Sequence, residues 1–129
     1  MKTINIQTRQ RTELVDITPA VQQAAAELKI SNGVLTIFVP HTTAGITINE
    51  NADPDVTRDM ATALERMVPR DAGYHHVEGN SAAHLKASMM GSSVRLIVQG
   101  GKLQLGTWQS VYFCEFDGPR ARHFWVAPA

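Results

Sequence analysis

The chain has one cysteine, Cys114, so it cannot form an internal disulfide; this usage fits a reducing, cytosolic compartment. It has no charge excess either. Twelve Lys and Arg balance twelve Asp and Glu, for a formal net charge of +0. A general nucleic-acid binder would carry a basic face, so that class is disfavoured, while a local basic pocket remains open. No window approaches the roughly 18 apolar residues of a membrane-spanning helix. The start, Met1–Gln7, alternates and lacks the apolar centre of a signal peptide. Repeats, low-complexity tracts and linkers are absent. There is no Gly-x-Ser-x-Gly, which argues against a serine hydrolase. There is no glycine-rich phosphate loop, so any diphosphate would have to be held by side chains or a metal.

What is present fits one domain over residues 1–129. Residues 3–9 alternate, with Ile4 and Ile6 on one face, and predict a strand. Leu14, Val15 and Ile17 suggest a second. Thr18-Pro19 reads as cap and first helical residue, and Val21, Ala25 and Leu28 follow at helical spacing. Asn32 or Gly33 suits the left-handed position that ends that helix. Val34–Val39 and the alternation around Ile46 and Ile48 predict strands. Asp53-Pro54 opens a helix whose apolar face is Val56, Met60, Leu64 and Met67, ended by Pro69. Ser81 is placed to cap a third helix closing at Gly91. Val94, Leu96 and Val98 alternate before a Gly100-Gly101 hairpin turn. Thr107–Phe116 is the longest strand candidate, and after Asp117-Gly118-Pro119 the chain returns through His123–Val126. About eight short strands and three helices, with tight turns between strands, predict an α+β domain with an antiparallel, β-sandwich-like sheet.

His41, His76 and His84 stand out among the five histidines, each beside small polar residues at the edge of a predicted element. Histidine is the commonest metal ligand and titrates near neutrality. With Ser81 as cap, His84 lies in the first turn of its helix, where the dipole disfavours imidazolium. A Gly79-Asn80-Ser81 turn could fold His76 back towards it. His75 and His123 read as bystander or structural residues. Glu50 and Asp59 are candidates for proton transfer or magnesium binding; Asp53 and Asp55 are explained by the helix start. Asn49 ends the strand before Glu50. Gly106 permits a close approach, Trp108 offers a flat face and Gln109 amide hydrogen bonds. Arg120 and Arg122 alternate and could clamp a phosphate, with Lys86 a further cation.

Four blocks then carry a resemblance: His41–Val56 (HTTAGITINENADPDV), Gly79–Lys86 (GNSAAHLK), Gly106–Gln109 (GTWQ) and Asp117–Arg120 (DGPR). In this order they resemble the YjbQ (UPF0047) family over nearly the whole chain. The resemblance implies a compact α+β sandwich that assembles as a homotrimer, with a site at subunit contacts. It implies that His41, His76 and His84 hold a divalent metal, zinc foremost, with magnesium as the alternative. Ala82 departs from the Asp common in relatives, so this chain lacks whatever orientation that Asp gives a histidine.

The family's described activity is secondary thiamine-phosphate synthesis, which joins hydroxymethylpyrimidine diphosphate to thiazole phosphate and releases diphosphate. Mapped here, the implied catalytic set is His41, Glu50, Asp59 and His84. The implied substrate set is Asn49, Lys86, Trp108, Gln109 and Arg120, acting on a small phosphorylated metabolite. Another metal-assisted enzyme, such as a hydrolase, and a non-catalytic metal- or anion-binding trimer are the alternatives. The expected location is the cytoplasm, without membrane or nucleic-acid partners.

Overall fold

The computed structural model describes residues 1–129. Its elements follow in the order β1 (Lys2–Gln7), β2 (Glu13–Asp16), α1 (Thr18–Glu27), β3 (Gly33–Phe38), β4 (Ala44–Glu50), α2 (Pro54–Met67), α3 (Ser81–Met90), β5 (Ser93–Gln99), β6 (Lys102–Leu103), β7 (Gln109–Glu115) and β8 (Ala121–Pro128). All strand pairs are antiparallel. They form two sheets, ordered β1-β8-β3-β5-β6 and β2-β7-β4. The α+β sandwich expected from the sequence is the observed architecture.

Side-chain alternation explains the layering. Leu35, Ile37, Leu96, Val98, Phe124 and Val126 of the larger sheet meet Ala44, Ile46, Val111 and Phe113 of the smaller one in a single core. Helix α1 closes that core with Val21, Ala24 and Ala25. On the outer face of the smaller sheet, Tyr112, Cys114 and Phe116 pack with Leu64 of α2 and Ala83 and Ala87 of α3. Successive residues of β7 therefore enter two different cores, so its apolar run is continuous rather than alternating. Each large side chain fully buried in this way contributes about 1.5–3 kcal/mol. The smaller Cys114 is fully buried as well, and burial pushes its thiol pKa up to about 12.

The local signals hold in part. Asp53 caps α2, its Oδ1 accepting from Asp55 N at 2.9 Å. Gly100 and Gly101 turn the β5–β6 hairpin with φ of 59° and 77°, the left-handed pair that a tight hairpin requires. Three expectations need correction. Thr18 is already helical; Asp16 Oδ1 accepts its N–H at 2.9 Å, and its hydroxyl instead accepts from Val111 N at 2.8 Å. Helix α1 ends earlier than Asn32 and Gly33: Lys29 takes the left-handed conformation at φ 57°, with Lys29 N bonded to Ala26 O and Ile30 N to Ala25 O. This is the paired-bond helix terminus usually given to glycine. On α2 only Leu64 of the predicted stripe is buried, Val56 and Met60 are half-buried and Met67 is exposed.

Candidate functional site

Helix α3 begins at Ser81, one residue earlier than Ser81 as its cap would place it. Asn80 is the cap residue; its carbonyl accepts from Ala83 N at 3.0 Å, while its side chain donates to Asp117 Oδ2 at 2.9 Å. His84 is thus the fourth helical residue. Before the helix the chain reverses at His76–Gly79, where Gly79 N donates to His76 O at 3.1 Å and Gly79 adopts φ 76°. That reversal brings His76 against His84, with ring centroids 5.5 Å apart and planes at 81°.

His41 comes from the β3–β4 connection. Its Nε2 lies 3.0 Å from the carbonyl oxygen and 3.1 Å from the amide nitrogen of His123. That one nitrogen can donate to the carbonyl or accept from the amide, so the backbone of β8 orients the ring in either tautomer. Nδ1 is left without a protein partner. Burial, followed by the nearby Arg122 charge, lowers the His41 pKa and favours the neutral ring.

These histidines face one cleft of about 390 Å³, shared with Glu78, Asp117 and Arg120 and lined by no hydrophobic residue. A second open recess continues from His41 and His84 along α3. The volume is that of a small-molecule site, while the lining suits a polar, charged ligand rather than an apolar one.

The floor is a buried ion pair. Arg122 Nε donates to Glu115 Oε1 at 2.8 Å and Nη2 to Glu115 Oε2 at 2.5 Å, with a further bond to Thr43 Oγ1 at 2.8 Å. Burial pushes the Glu115 carboxyl up, but Arg122, the Asp117 N–H and Thr8 outweigh it and hold it below the usual value. The expected clamp of two free arginines is corrected on this ground. Arg120 and Arg122 both reach the cleft, but Arg122 is fully engaged inside and Arg120 is paired with Asp117.

The donor chemistry fits a divalent ion at the histidine pair. Two imidazoles sharing one tetrahedral zinc have centroids about 5 Å apart, close to the spacing of His76 and His84. His41, fixed through one nitrogen by a backbone carbonyl, has the orientation common to metal-binding histidines. Within one chain, however, no three His, Cys, Asp or Glu side chains gather closely enough to hold a metal by themselves. The expected His41, His76 and His84 set therefore shares a cleft without closing into a three-ligand cage.

The other expected site residues lie elsewhere. Asn49 and Glu50 end β4, opposite Ser110 and Gln109, while Ala44 at its start borders the histidine recess. Seven strand residues separate these ends by about 20 Å. Asn49 Oδ1 accepts from Glu50 N, and Gln109 Oε1 accepts from Gly106 N at 2.8 Å, so Gly106 approaches Gln109 rather than a ligand. Trp108 is 61 % exposed there, and Asp59 is exposed on α2. Lys86 is buried over Phe116 and paired with Glu65, away from the histidines. The cleft residues that sequence reasoning missed are Glu78, Asn80 and Asp117. Asn80 and Asp117 sit inside recognised blocks but read there only as turn residues, and Glu78 immediately precedes one of those blocks.

The family model "UPF0047 protein YjbQ-like" matches residues 2–128. A UPF0047 protein of Methanocaldococcus jannaschii is 53 % identical over 121 residues, covering 94 % of this chain and 88 % of its own. YugU of Bacillus subtilis, also a UPF0047 protein, is 50 % identical over 127 residues, covering 98 % and 96 %. Among solved structures, an uncharacterized YjbQ/UPF0047 protein of Clostridium acetobutylicum superimposes with a TM-score of 0.97 at 52 % identity, covering all of both chains. A conserved hypothetical protein of Thermus thermophilus gives 0.93 at 39 %, again over both full chains.

Proposed function

The chain belongs to the UPF0047 family of YjbQ-like proteins, and from that membership we propose that its polar cleft binds a small phosphorylated metabolite with a divalent metal, zinc foremost and magnesium as the alternative. The reaction proposed is thiamine-phosphate synthase-type transfer. The observation that carries the reading is the convergence of His41, the His76–His84 pair and Arg120 on one cleft without hydrophobic lining.

His76 and His84 would hold the metal, with His41 as the third histidine facing it. When bound, the metal would supply positive charge against a diphosphate. The thiazole nitrogen's electron pair forms a C–N bond to the pyrimidine methylene carbon as that carbon's C–O bond to diphosphate breaks. Diphosphate leaves with the electron pair. Arg120 then neutralises charge that grows on the leaving group, which is where electrostatic stabilisation is most effective.

The chain is proposed to act in the cytoplasm as a homotrimer. No helix is long and apolar enough to cross a membrane. Exposed Trp108, with Glu50 and Gln109 beside it, lies far from the histidines within one chain, so a neighbouring subunit is the route by which it could reach a histidine cleft.

The test is metal content of untagged protein and of His84→Ala, followed by thiamine-phosphate assay with and without the metal found. Near-stoichiometric metal lost in the variant, with turnover that falls alongside it, is the expected result. Unchanged turnover in His84→Ala would sink the reading. Sedimentation of a stable, fully active monomer would remove the trimer from it.

A further inference from the structure

We propose that Asp117 sets the anion affinity of the cleft by holding Arg120 in an internal ion pair that an incoming phosphate must displace. This rests on the reading of the cleft as a phosphate-binding site. Arg120 Nη2 donates to Asp117 Oδ2 at 2.8 Å and its Nε donates to the Asp117 carbonyl at 2.8 Å. The same carboxylate oxygen accepts from Asn80 Nδ2 at 2.9 Å. Asp117 N in turn donates to Glu115 Oε2 at 3.0 Å, which ties the residue to the buried ion pair.

The two partners are unequally placed. The Asp117 side chain is 12 % exposed, whereas that of Arg120 is 51 % exposed. The carboxylate is therefore the fixed member and the guanidinium the movable one. An exposed ion pair is weak, so it can be exchanged for a better one. A phosphate offers Arg120 two acceptor oxygens with more charge than the one carboxylate oxygen and one backbone carbonyl it now holds. Asp117 opposes that ligand twice, by occupying the arginine and by placing a negative charge on the wall of the cleft. It is a positioning residue, and it biases the cleft towards multiply charged ligands such as diphosphate over carboxylates, which cannot outcompete an equal charge already in place.

The experiment is calorimetric titration of the chelator-treated full chain with sodium diphosphate at low salt. Asp117→Asn keeps an oxygen to accept from Asn80 but loses the charge. It is expected to bind diphosphate about three- to tenfold more tightly than the parent, the scale of one nearby charge removed in a solvated site. Arg120→Gln is expected to weaken binding, and adding Asp117→Asn to it should restore only the smaller part due to the charge on the wall, less than the gain in the parent. A merely structural Asp117 predicts the opposite sign, a loss. Should Asp117→Asn fail to fold, Asp117→Ser also retains an oxygen for Asn80 and carries the same expectation. Equal or weaker binding in the folded variant overturns the inference, as does a gain that is just as large without Arg120. Absence of binding in the parent and the variant alike overturns the reading of the cleft as well.

Discussion

Glu115 and Arg122 face each other across the interior of the sandwich, one from each sheet, joined by two hydrogen bonds of 2.8 and 2.5 Å while only 0 % and 6 % exposed. The geometry follows from strand parity. Glu115 shares the inward face of β7 with Val111 and Phe113, and Arg122 that of β8 with Phe124 and Val126. Removing either partner strands a buried charge, which is far costlier than losing a surface pair. Arg122→Ala is therefore expected to lower unfolding free energy by about 3–5 kcal/mol in urea titration. A loss under 1 kcal/mol would mean the pair is solvated.

The same pair makes an acid-sensitivity prediction. The folded-state pKa of Glu115 lies below its ordinary value of 4.5. Its ionised form thus stabilises the fold fully above that value, and this contribution is lost as pH falls through the lower folded value. Glu115→Gln should flatten the part of the stability–pH curve below 4.5, relative to the parent. Parallel curves for the two proteins would refute the assignment.

His41 gives a second pH prediction with a different window. Its folded pKa lies below 6.5, so the unfolded chain takes up the proton first as pH falls. The contribution of neutral His41 is complete above 6.5 and is lost as pH falls through the folded value. Proton-carbon NMR titration should show His41 neutral at pH 7 with a midpoint below 6.5. A midpoint above 6.5 would contradict the burial and Arg122 argument.

At the end of α1, Lys29 holds a positive φ of 57°. A side chain there strains against its own carbonyl, and glycine would not. Lys29→Gly should stabilise the protein by about 0.5–1 kcal/mol, less whatever its greater unfolded-state freedom removes. Thermal unfolding with a lowered midpoint would argue against the strain.

Gly118 makes the reverse case. A Cβ at this position would lie 2.2 Å from the backbone oxygen of Gln10, an atom that cannot swing aside. Gly118→Ala should cost about 1–3 kcal/mol. Because Gly118 N also bonds to Arg11 O, the substitution should loosen the turn that presents Asp117 and Arg120. Unchanged stability would show that this turn yields freely.

The parts of this fold legible in the sequence are those decided by neighbours in the chain. Strand alternation, the Asp53 cap and the Gly100–Gly101 turn depend on residues a few positions apart. Thr18 misled because the competing acceptor, Asp16, is equally local and its own hydroxyl is engaged by β7. Lys29 misled because the terminating bonds, not the residue type, fixed its conformation. At the site, the turn before α3 was legible enough to pair His76 with His84. Lys86 was not placed, although Ala82, Ala83 and Ala87 beside it on α3 are buried and could have marked that face as inward. Glu50 shares one continuous block with His41, yet β4 holds the two ends of that block apart, and β7 pairs Gln109 at the Glu50 end. No sequence pattern reported that Asp117 would hold Asn80 and Arg120 together.

The double burial of β7 bears on how the molecule comes apart. Its alternate side chains belong to two cores, so neither layer can open without baring the other. Local openings should bypass this strand, and the amide protons of Val111–Cys114 should exchange with solvent only when the whole chain unfolds. The turn that carries Asp117 and Arg120 is attached directly to the end of β7. One rim of the cleft thus has the part of the protein expected to exchange most slowly as its mounting, while the His76 loop on the other rim is exposed and belongs to neither sheet.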